Sequence, residues 1–477
     1  MNNGKLAYIE HYSDIIPDIA AAREIASQAL PTTLWTNTLK ISPGALQQLL
    51  AKDNIALKPL PWNPAAFRWI SSSPPGKHWT YWAGLFQIQE EVSMLSGIVL
   101  AAKPGEKVLD LCAAPGNKTS QIAVAMQNTG CVIANDRNYN RMRAFGQIMK
   151  RLGLINVSTT IYDGTSYPRM ENTFDKVLVD APCSCEGTFR KNTNKYVIPD
   201  TKKSQTLARV QQVLLKKAIR LCKPGGKILY STCPFSPIEN ENVINEMLKI
   251  YGDEITVLPI KIPAFQTCPG LATWEGESFD SSLQNTVRVW PHLNNTGGFY
   301  LALLEKKAEA SYEPISEPLQ PESISEQAQQ HINALVDRFA FPMQEIQKYR
   351  YLTENSSRGI YVTNQDNQPP DSLRIDATGL FFLKTKIRHP KISTAAAMIF
   401  AKHAKKNTIT LSENQRIAYF QREDIILDNQ QINQCVSTGY VLVFHQDQAI
   451  GVGLYFAAED DKPHRLKSLF PQYIQGG

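Results

Sequence analysis

From residue 103 to residue 304 the chain alternates short apolar runs with amphipathic ones, and this constrains the fold more than any other feature. The runs KVLDLC, CVIAND, NVSTTIYD, FDKVLVDAP and KILYSTC read as strands. The stretches KTSQIAVAMQ, RNYNRMRAFGQIMKRLGL, LARVQQVLLKKAIRLCKPGG and ENENVINEMLKIYG read as helices, the third ending in Gly. Strands alternating with helical patterns specify an α/β fold with a parallel, doubly wound sheet. Ligands of such sheets bind at the carboxyl ends of the strands, so chemistry is sought there.

The flanks read differently. Residues 12–30 are expected to be helical, 33–42 to alternate like a strand, and 42–54 to form a helix capped by Ser42-Pro43. Residues 85–101, LFQIQEEVSMLSGIVLA, are expected to form an amphipathic helix leading into the central domain. Residues 305–328 are rich in Glu, Pro and Ser and read as a linker. Beyond them GIYVTN, TGLFFLK and GYVLVF suggest a small β-rich domain. The expected division is 1–100, 101–305, a linker 306–330 and 331–477. The 477 residues carry a net charge of +6, which permits a polyanionic partner without demanding one. The start MNNGKLAYIE lacks a signal pattern, and no apolar run approaches the ~18 residues of a membrane span. A cytoplasmic, reducing setting is expected, with the eight cysteines unpaired and no membrane association. A monomer is expected.

VLDLCAAPGNKT (108–119) ends a strand, turns at a glycine and opens a helix. Backbone N–H groups at such a start suit a polar or anionic ligand group. The loop lacks GxGxxG and the P-loop spacing. An adenosine-type ligand without a pyrophosphate fits better, S-adenosylmethionine being the common one; a purely structural strand-turn-helix is the alternative. Asp136 ends the next strand, twenty positions after Gly116, where an acid can bind a ribose. Asp163 ends the third strand; it either reaches an adenine amine or caps a turn. The fourth strand delivers DAPCSCEG (180–187). A metal is not expected from C-x-C alone, with no second ligand pair nearby in sequence. A Cys183–Cys185 disulfide would be strained. Thiolate chemistry or inert thiols remain. STCPFSPIENE (231–241) ends the fifth strand, so Cys183 and Cys233 should face one cleft from adjacent strand ends.

Together these residues resemble the RNA cytosine-5 methyltransferases of the Nol1/Nop2/Sun family. The resemblance is carried in order by TNTLK (36–40), GLFQIQEEVSML (84–95), LDLCAAPGNKT, DAPCSCEG, STCPFSPIENE and RVWPHLNNTGGFYLALL (288–304). Beyond the linker, KIRHPKIST (386–394) and GYVLVFHQDQAIGVGLY (439–455) resemble the RNA-binding extension of bacterial ribosomal-RNA members, which ends in a PUA-like module. The resemblance implies a Rossmann-like S-adenosylmethionine-dependent methyltransferase sheet, a small N-terminal RNA-binding-type α/β domain and a β-rich PUA-like C-terminal region. It implies Cys233 as nucleophile and Cys183 as the residue of product release. Cofactor contacts carry over to Cys112, Ala113, Ala114, Pro115, Gly116, Asn117, Lys118, Asp136, Asp163 and Asp180. This chain departs from the family in placing Cys185 where Gly usually stands, and Thr296-Gly297 where an Asp precedes Gly-Phe-Phe.

Carbon 5 of cytosine is a poor nucleophile, and thiolate addition to carbon 6 makes it one. Asp180 is expected to bond the ring nitrogen and amine of the target base. Rim cations are sought in FRKNTNKY (189–196), with Arg190 and Lys191, and in the acid-free stretch 384–406, with Lys386, Arg388 and Lys391. Arg137, Arg141, Arg143, Lys150 and Arg151 on the third helix read mainly as solvated surface. The expected substrate is small-subunit (16S) ribosomal RNA or the small ribosomal subunit, with transfer RNA as the alternative. The rivals are a DNA cytosine-5 methyltransferase and a non-catalytic RNA-binding assembly factor.

Overall fold

The computed structural model describes residues 3–191, 200–308, 324–353, 359–385, 391–459 and 462–471. The chain opens with two helices, α1 (Asn3–His11) and α2 (Ile19–Ala26); of the helix expected over 12–30 only α2 forms, and α1 precedes that stretch. Pro17 separates them, and the Asp18 carboxylate caps α2 by accepting from the Ala21 N–H at 2.9 Å. A four-stranded antiparallel sheet follows in the order β2-β3-β1-β4, from β1 (Thr33–Thr36), β2 (Ala56–Leu60), β3 (Asn63–Ile70) and β4 (Phe86–Ile88). Helix α3 (Pro43–Lys52) packs on it, with Ser42 as N-cap and Pro43 in the first turn, as the sequence predicts.

The helix expected over 85–101 is not formed. Residues 86–88 are strand β4, and only Leu95–Leu100 (α4) make an α-helix. The reason is visible in alternate positions. Gln87, Gln89 and Glu91 are all buried, a period of two that a helix cannot satisfy. Each finds a partner: Arg151 Nη2 for Gln87, Trp35 Nε1 for Gln89 at 2.8 Å, and Trp62 Nε1 for Glu91 at 3.1 Å. The TNTLK motif is likewise a clamp between domains. Asn37 Nδ2 donates to Leu152 O at 2.8 Å, and Lys40 Nζ donates to Arg151 O at 2.8 Å. These carbonyls end a helix of the central domain and lack intrahelical donors.

The central sheet is built from β5 (Lys107–Asp110), β6 (Cys131–Asn135), β7 (Val157–Thr160), β8 (Phe174–Asp180) and β9 (Cys222–Thr232). They run parallel in the order β7-β6-β5-β8-β9. Their helices are α5 (Asn117–Ala125), α6 (Tyr139–Leu152), α7 (Thr201–Leu221) and α8 (Glu241–Tyr251). Helix α7 stops at Leu221 rather than at the expected Gly, because Pro224 disfavours helix before it. CKPGG already belongs to β9, with Cys222 opposite Phe174. Strand β10 (Ile255–Leu258), the short β11 (Cys268–Pro269), the hairpin β12 (Thr273–Trp274) and β13 (Glu277–Ser278), then β14 (Val287–Val289) and β15 (Phe299–Lys306) follow. Strand β15 pairs antiparallel with β9. The strand order reverses between β5 and β8, which opens a crevice at their carboxyl ends.

Beyond the central sheet, helix Glu326–Phe339 leads to a four-stranded sheet, a helix Thr394–Phe400 and a five-stranded sheet formed from residues 408–468. GIYVTN, LFFLK and GYVLVF are strands there. One two-residue strand, Ala377–Thr378, leaves this region and pairs antiparallel with β7, at the outer edge of the central sheet. Among the described residues no helix is long and apolar enough to cross a membrane.

Candidate active site

The crevice is a cavity of about 480 Å³. Its first wall is the turn after β5. Cys112, Ala114, Pro115 and Lys118 line it, with Asp136, Asp163 and Asp180 from the ends of neighbouring strands. Ala113, Gly116 and Asn117 do not line the cavity; they shape the turn. The Ala113 N–H donates to Asn135 O at 2.7 Å. Gly116 has φ +104°, and a Cβ there would sit 1.9 Å from the Phe145 ring, so only glycine fits. Asn117 Oδ1 accepts from Gln87 Nε2 at 2.6 Å, tying the helix start to the N-terminal domain.

Asp110 was not singled out from sequence, yet it supports this turn. It is 1% exposed and accepts from Thr119 Oγ1 at 2.6 Å, and burial pushes its carboxyl up to about 7. Asp136 accepts from the Asn138 N–H at 2.8 Å and faces Arg141 Nη1 at 3.4 Å. The Asp163 carboxylate accepts from the Thr165 hydroxyl and N–H at 2.7 and 2.9 Å, which hold it below the usual range. It caps its own turn, one of the two sequence readings, and also lines the cavity. Asp180 is fixed on both oxygens, by Lys118 Nζ at 2.6 Å and Ser231 Oγ at 2.9 Å. Burial opposes the Lys118 charge, but Asp180 outweighs it and raises the ammonium above the ordinary lysine value.

The same cavity is lined by sulfurs. Cys183 follows β8 and Cys233 follows β9, and their Sγ atoms lie 3.3 Å apart. The expectation that both face one cleft is met by this geometry. Cys185 Sγ lies 4.0 Å from Cys183 Sγ. Cys185 has φ +63°, a left-handed conformation that glycine adopts without cost, so a non-glycine residue strains the turn there. The thiol donors of its neighbours stabilise a thiolate at Cys185 and pull it down, while Cys233 is pushed up by its bonds to Cys183 and Cys185.

Two buried acids lock these loops together, and sequence reading missed both. Glu239 accepts from the Ser184 N–H at 3.0 Å, Ser204 Oγ at 2.8 Å and Gln211 Nε2 at 2.9 Å. Glu186 accepts from the N–H groups of Phe235 and Ser236 at 2.9 and 3.2 Å and from Tyr12 Oη at 3.1 Å. Gly187 completes the lock. Its N–H donates to Cys233 O at 2.7 Å and its carbonyl accepts from Gly298 N–H at 3.0 Å. A Cβ on Gly187 would meet Cys233 O at 2.2 Å. The departure at Thr296-Gly297 leaves a defined turn, with Gly297 N–H donating to Glu90 Oε1 at 3.0 Å.

Burial pushes the Glu186 carboxyl from 4.5 up to about 7. An acid raised this way favours the folded state while protonated. Its contribution is present below the ordinary glutamate range and is lost as pH rises through about 7. Glu186→Gln keeps an acceptor for the two N–H groups. It is expected to gain stability relative to the parent across that window, on the order of 1–3 kcal/mol. Thermal melts of both proteins against pH check this; parallel curves would refute it.

The expected rim is only partly where sequence put it. Arg190 is 3% exposed and points inward. Its guanidinium donates to the carbonyls of Gln28, Ala29 and Thr296 and to Asn295 Oδ1, at 2.7 to 3.3 Å. With these donors engaged, Arg190 is a brace between the cysteine loop and the N-terminal region, not a phosphate contact. Lys191 is exposed at the cavity mouth. Arg151 is also internal, bonded to the carbonyls of Tyr81 and Phe86 and stacked 3.8 Å over the Tyr81 ring. Lys391 Nζ sits 5.7 Å above the Tyr440 ring. Lys386 and Arg388 lie outside the described residues, as do 192–196 of FRKNTNKY.

Comparison with known proteins places these features in context. The family model of 16S rRNA methyltransferase RsmB/F matches residues 97–305. The N-terminal domain of 16S rRNA methyltransferase RsmF matches 6–91, and the methyltransferase RsmF PUA domain matches 406–474. The chain is 37% identical over 279 residues to a tRNA (cytosine(49)-C(5))-methyltransferase of Pyrococcus abyssi, covering 58% of this chain and 88% of that one. It is 34% identical over 323 residues to ribosomal RNA small subunit methyltransferase F of Erwinia tasmaniensis, covering 65% of each chain. The crystal structure of a methyltransferase homologue from Pyrococcus horikoshii is similar at 32% identity and a TM-score of 0.54, covering 64% of this chain and 93% of that one.

Proposed function

Because the chain belongs to the RNA cytosine-5 methyltransferases, we propose that it methylates carbon 5 of a cytosine in small-subunit ribosomal RNA through a covalent bond to Cys233. The observation that carries this reading is the 3.3 Å pair of sulfurs lining one cavity with the turn after β5 and the acids of the strand ends. The residues fit S-adenosylmethionine by their donor chemistry. Asp136 and Asp163 suit hydroxyl and amine donors, the walls of Cys112, Ala114 and Pro115 are weakly polar, and the acids favour a cation. Bound there, the cofactor would supply an electrophilic methyl group.

The protein's part is to make carbon 5 reactive. The target base must leave its stack to enter the crevice. Asp180, held by Lys118 and Ser231, is preorganised to accept from the amine of the base and from its ring nitrogen once that nitrogen is protonated in the adduct. The Cys233 thiolate adds to carbon 6, and the electron pair of the 5,6 double bond moves to carbon 5, which takes the methyl group. The carbon 5 proton then leaves, toward Cys183 or through it to solvent. The released pair re-forms the double bond and expels Cys233 as a thiolate. Cys183 lies close enough to the carbon–sulfur bond to serve this last stage.

Matches to RsmF-type domains at both ends of the chain favour ribosomal RNA. The transfer-RNA reading rests on the archaeal relative, which matches 58% of the chain. Incubation with methyl-labelled cofactor and small-subunit RNA, small subunits, transfer RNA or duplex DNA, followed by mapping of 5-methylcytosine, tests the proposal. Label in small-subunit RNA or subunits is expected. Label in transfer RNA alone would reassign the substrate, and label in none would refute the activity.

A further inference from the structure

Beside the two sulfurs that the proposed chemistry uses, Cys183 and Cys233, stands that of Cys185, which it does not use. The Sγ atoms of Cys183, Cys185 and Cys233 all lie within 4.8 Å of one another, with 3.3 Å between Cys183 and Cys233 and 4.0 Å between Cys183 and Cys185. Tetrahedral zinc thiolates have bonds of ~2.3 Å, which sets sulfur–sulfur edges of roughly 3.8 Å. The three sulfurs therefore bracket the face of such a tetrahedron with little adjustment. We propose that they form a site for a soft divalent cation, Zn²⁺ in the first instance, that reversibly closes the active site.

Cys185 makes the difference. With glycine there, two sulfurs remain, which is too few for a closed chelate. It sits in a left-handed backbone conformation, with its sulfur 4.0 Å from that of Cys183. Cys233 comes from another strand, so the set spans fifty residues and C-x-C alone could not reveal it. Binding balances simply. The three cysteines bind as thiolates, those still protonated releasing their protons to solvent; each sulfur gives one lone pair, and the fourth position faces the cavity. The complex carries one net negative charge, and the Lys118 ammonium stands nearby against Asp180. While the cation is bound, the Cys233 lone pair is committed to the metal and cannot attack a base. The cation site stands on the sulfur geometry; its inhibitory effect rests on the assignment of Cys233 as nucleophile.

The test is a titration of the fully reduced chain with Co²⁺, read by thiolate-to-cobalt charge-transfer absorption, and back-titration with Zn²⁺. One equivalent is expected to give the band, and Zn²⁺ to abolish it. Cys185→Gly and Cys185→Ser are each expected to weaken Zn²⁺ binding by about 100-fold or more, since each thiolate carries a large share of the binding energy. Cys268→Ser, outside this group of sulfurs, is expected to titrate like the parent. Methyl transfer by the parent is expected to fall with added Zn²⁺ and to recover with a chelator, whereas Cys185→Gly turns over at the same Zn²⁺ level. No band in the parent, or Cys185 variants that titrate like it, would overturn the site. A normal titration with no RNA methylation under any condition would leave the site standing and count against the proposed function instead.

Discussion

Cys233→Ala is expected to abolish methyl transfer, by on the order of 10⁴-fold or more, the scale on which loss of a covalent nucleophile acts. The argument is positional. Cys233 leaves the central sheet at the end of β9, one strand from the Asp180 that would hold the base. Its carbonyl is bound by the Gly187 N–H, and the following N–H groups of Phe235 and Ser236 are bound by Glu186. The substitution removes the sulfur and leaves these backbone bonds intact. The variant should therefore melt like the parent and still bind cofactor. Labelled methyl incorporation into RNA, with calorimetry for cofactor binding, checks both halves. Retained turnover in a folded Cys233→Ala protein would remove Cys233 from the mechanism.

Cys183→Ala should behave differently: it is expected to accumulate a covalent RNA adduct. Addition and methyl transfer need Cys233, whereas release needs a group that manages the carbon 5 proton. With the sulfurs 3.3 Å apart, either could in principle reach carbon 6. The two variants separate them. A denaturant-resistant gel shift in Cys183→Ala, absent in Cys233→Ala, assigns attack to Cys233 and release to Cys183. The reverse pattern would exchange the roles of the two cysteines.

The central sheet was legible because its strands are continuous apolar runs broken by helices whose apolar faces repeat with their own period. Both cysteines were legible because parallel order alone sends the ends of β8 and β9 to one edge. Segment 85–101 was misread because its apolar residues fit a helix, while its polar ones, Gln87, Gln89 and Glu91, are the buried ones. Nothing in sequence says that Trp35, Trp62 and Arg151 will be their partners. Arg190 fails for the same reason: its charge suggested solvent, and four acceptors from distant segments turned it inward. Glu186 and Glu239 look like surface acids in CEG and ENE. They become internal only when two loops fifty residues apart close around them.

The pairing of Ala377–Thr378 with β7 has a consequence for how this protein can be divided. Asp376 N–H donates to Thr159 O at 2.8 Å, and Gly379 N–H donates to Val157 O at 2.9 Å. An open sheet edge is a template for another chain, and proteins that avoid aggregation cover it. Here the cover comes from the far end of the sequence. A fragment ending near residue 305 would keep every residue of the crevice and yet carry a bare, sticky margin on β7. The C-terminal region thus acts as a hem for the catalytic sheet as well as an appendage to it.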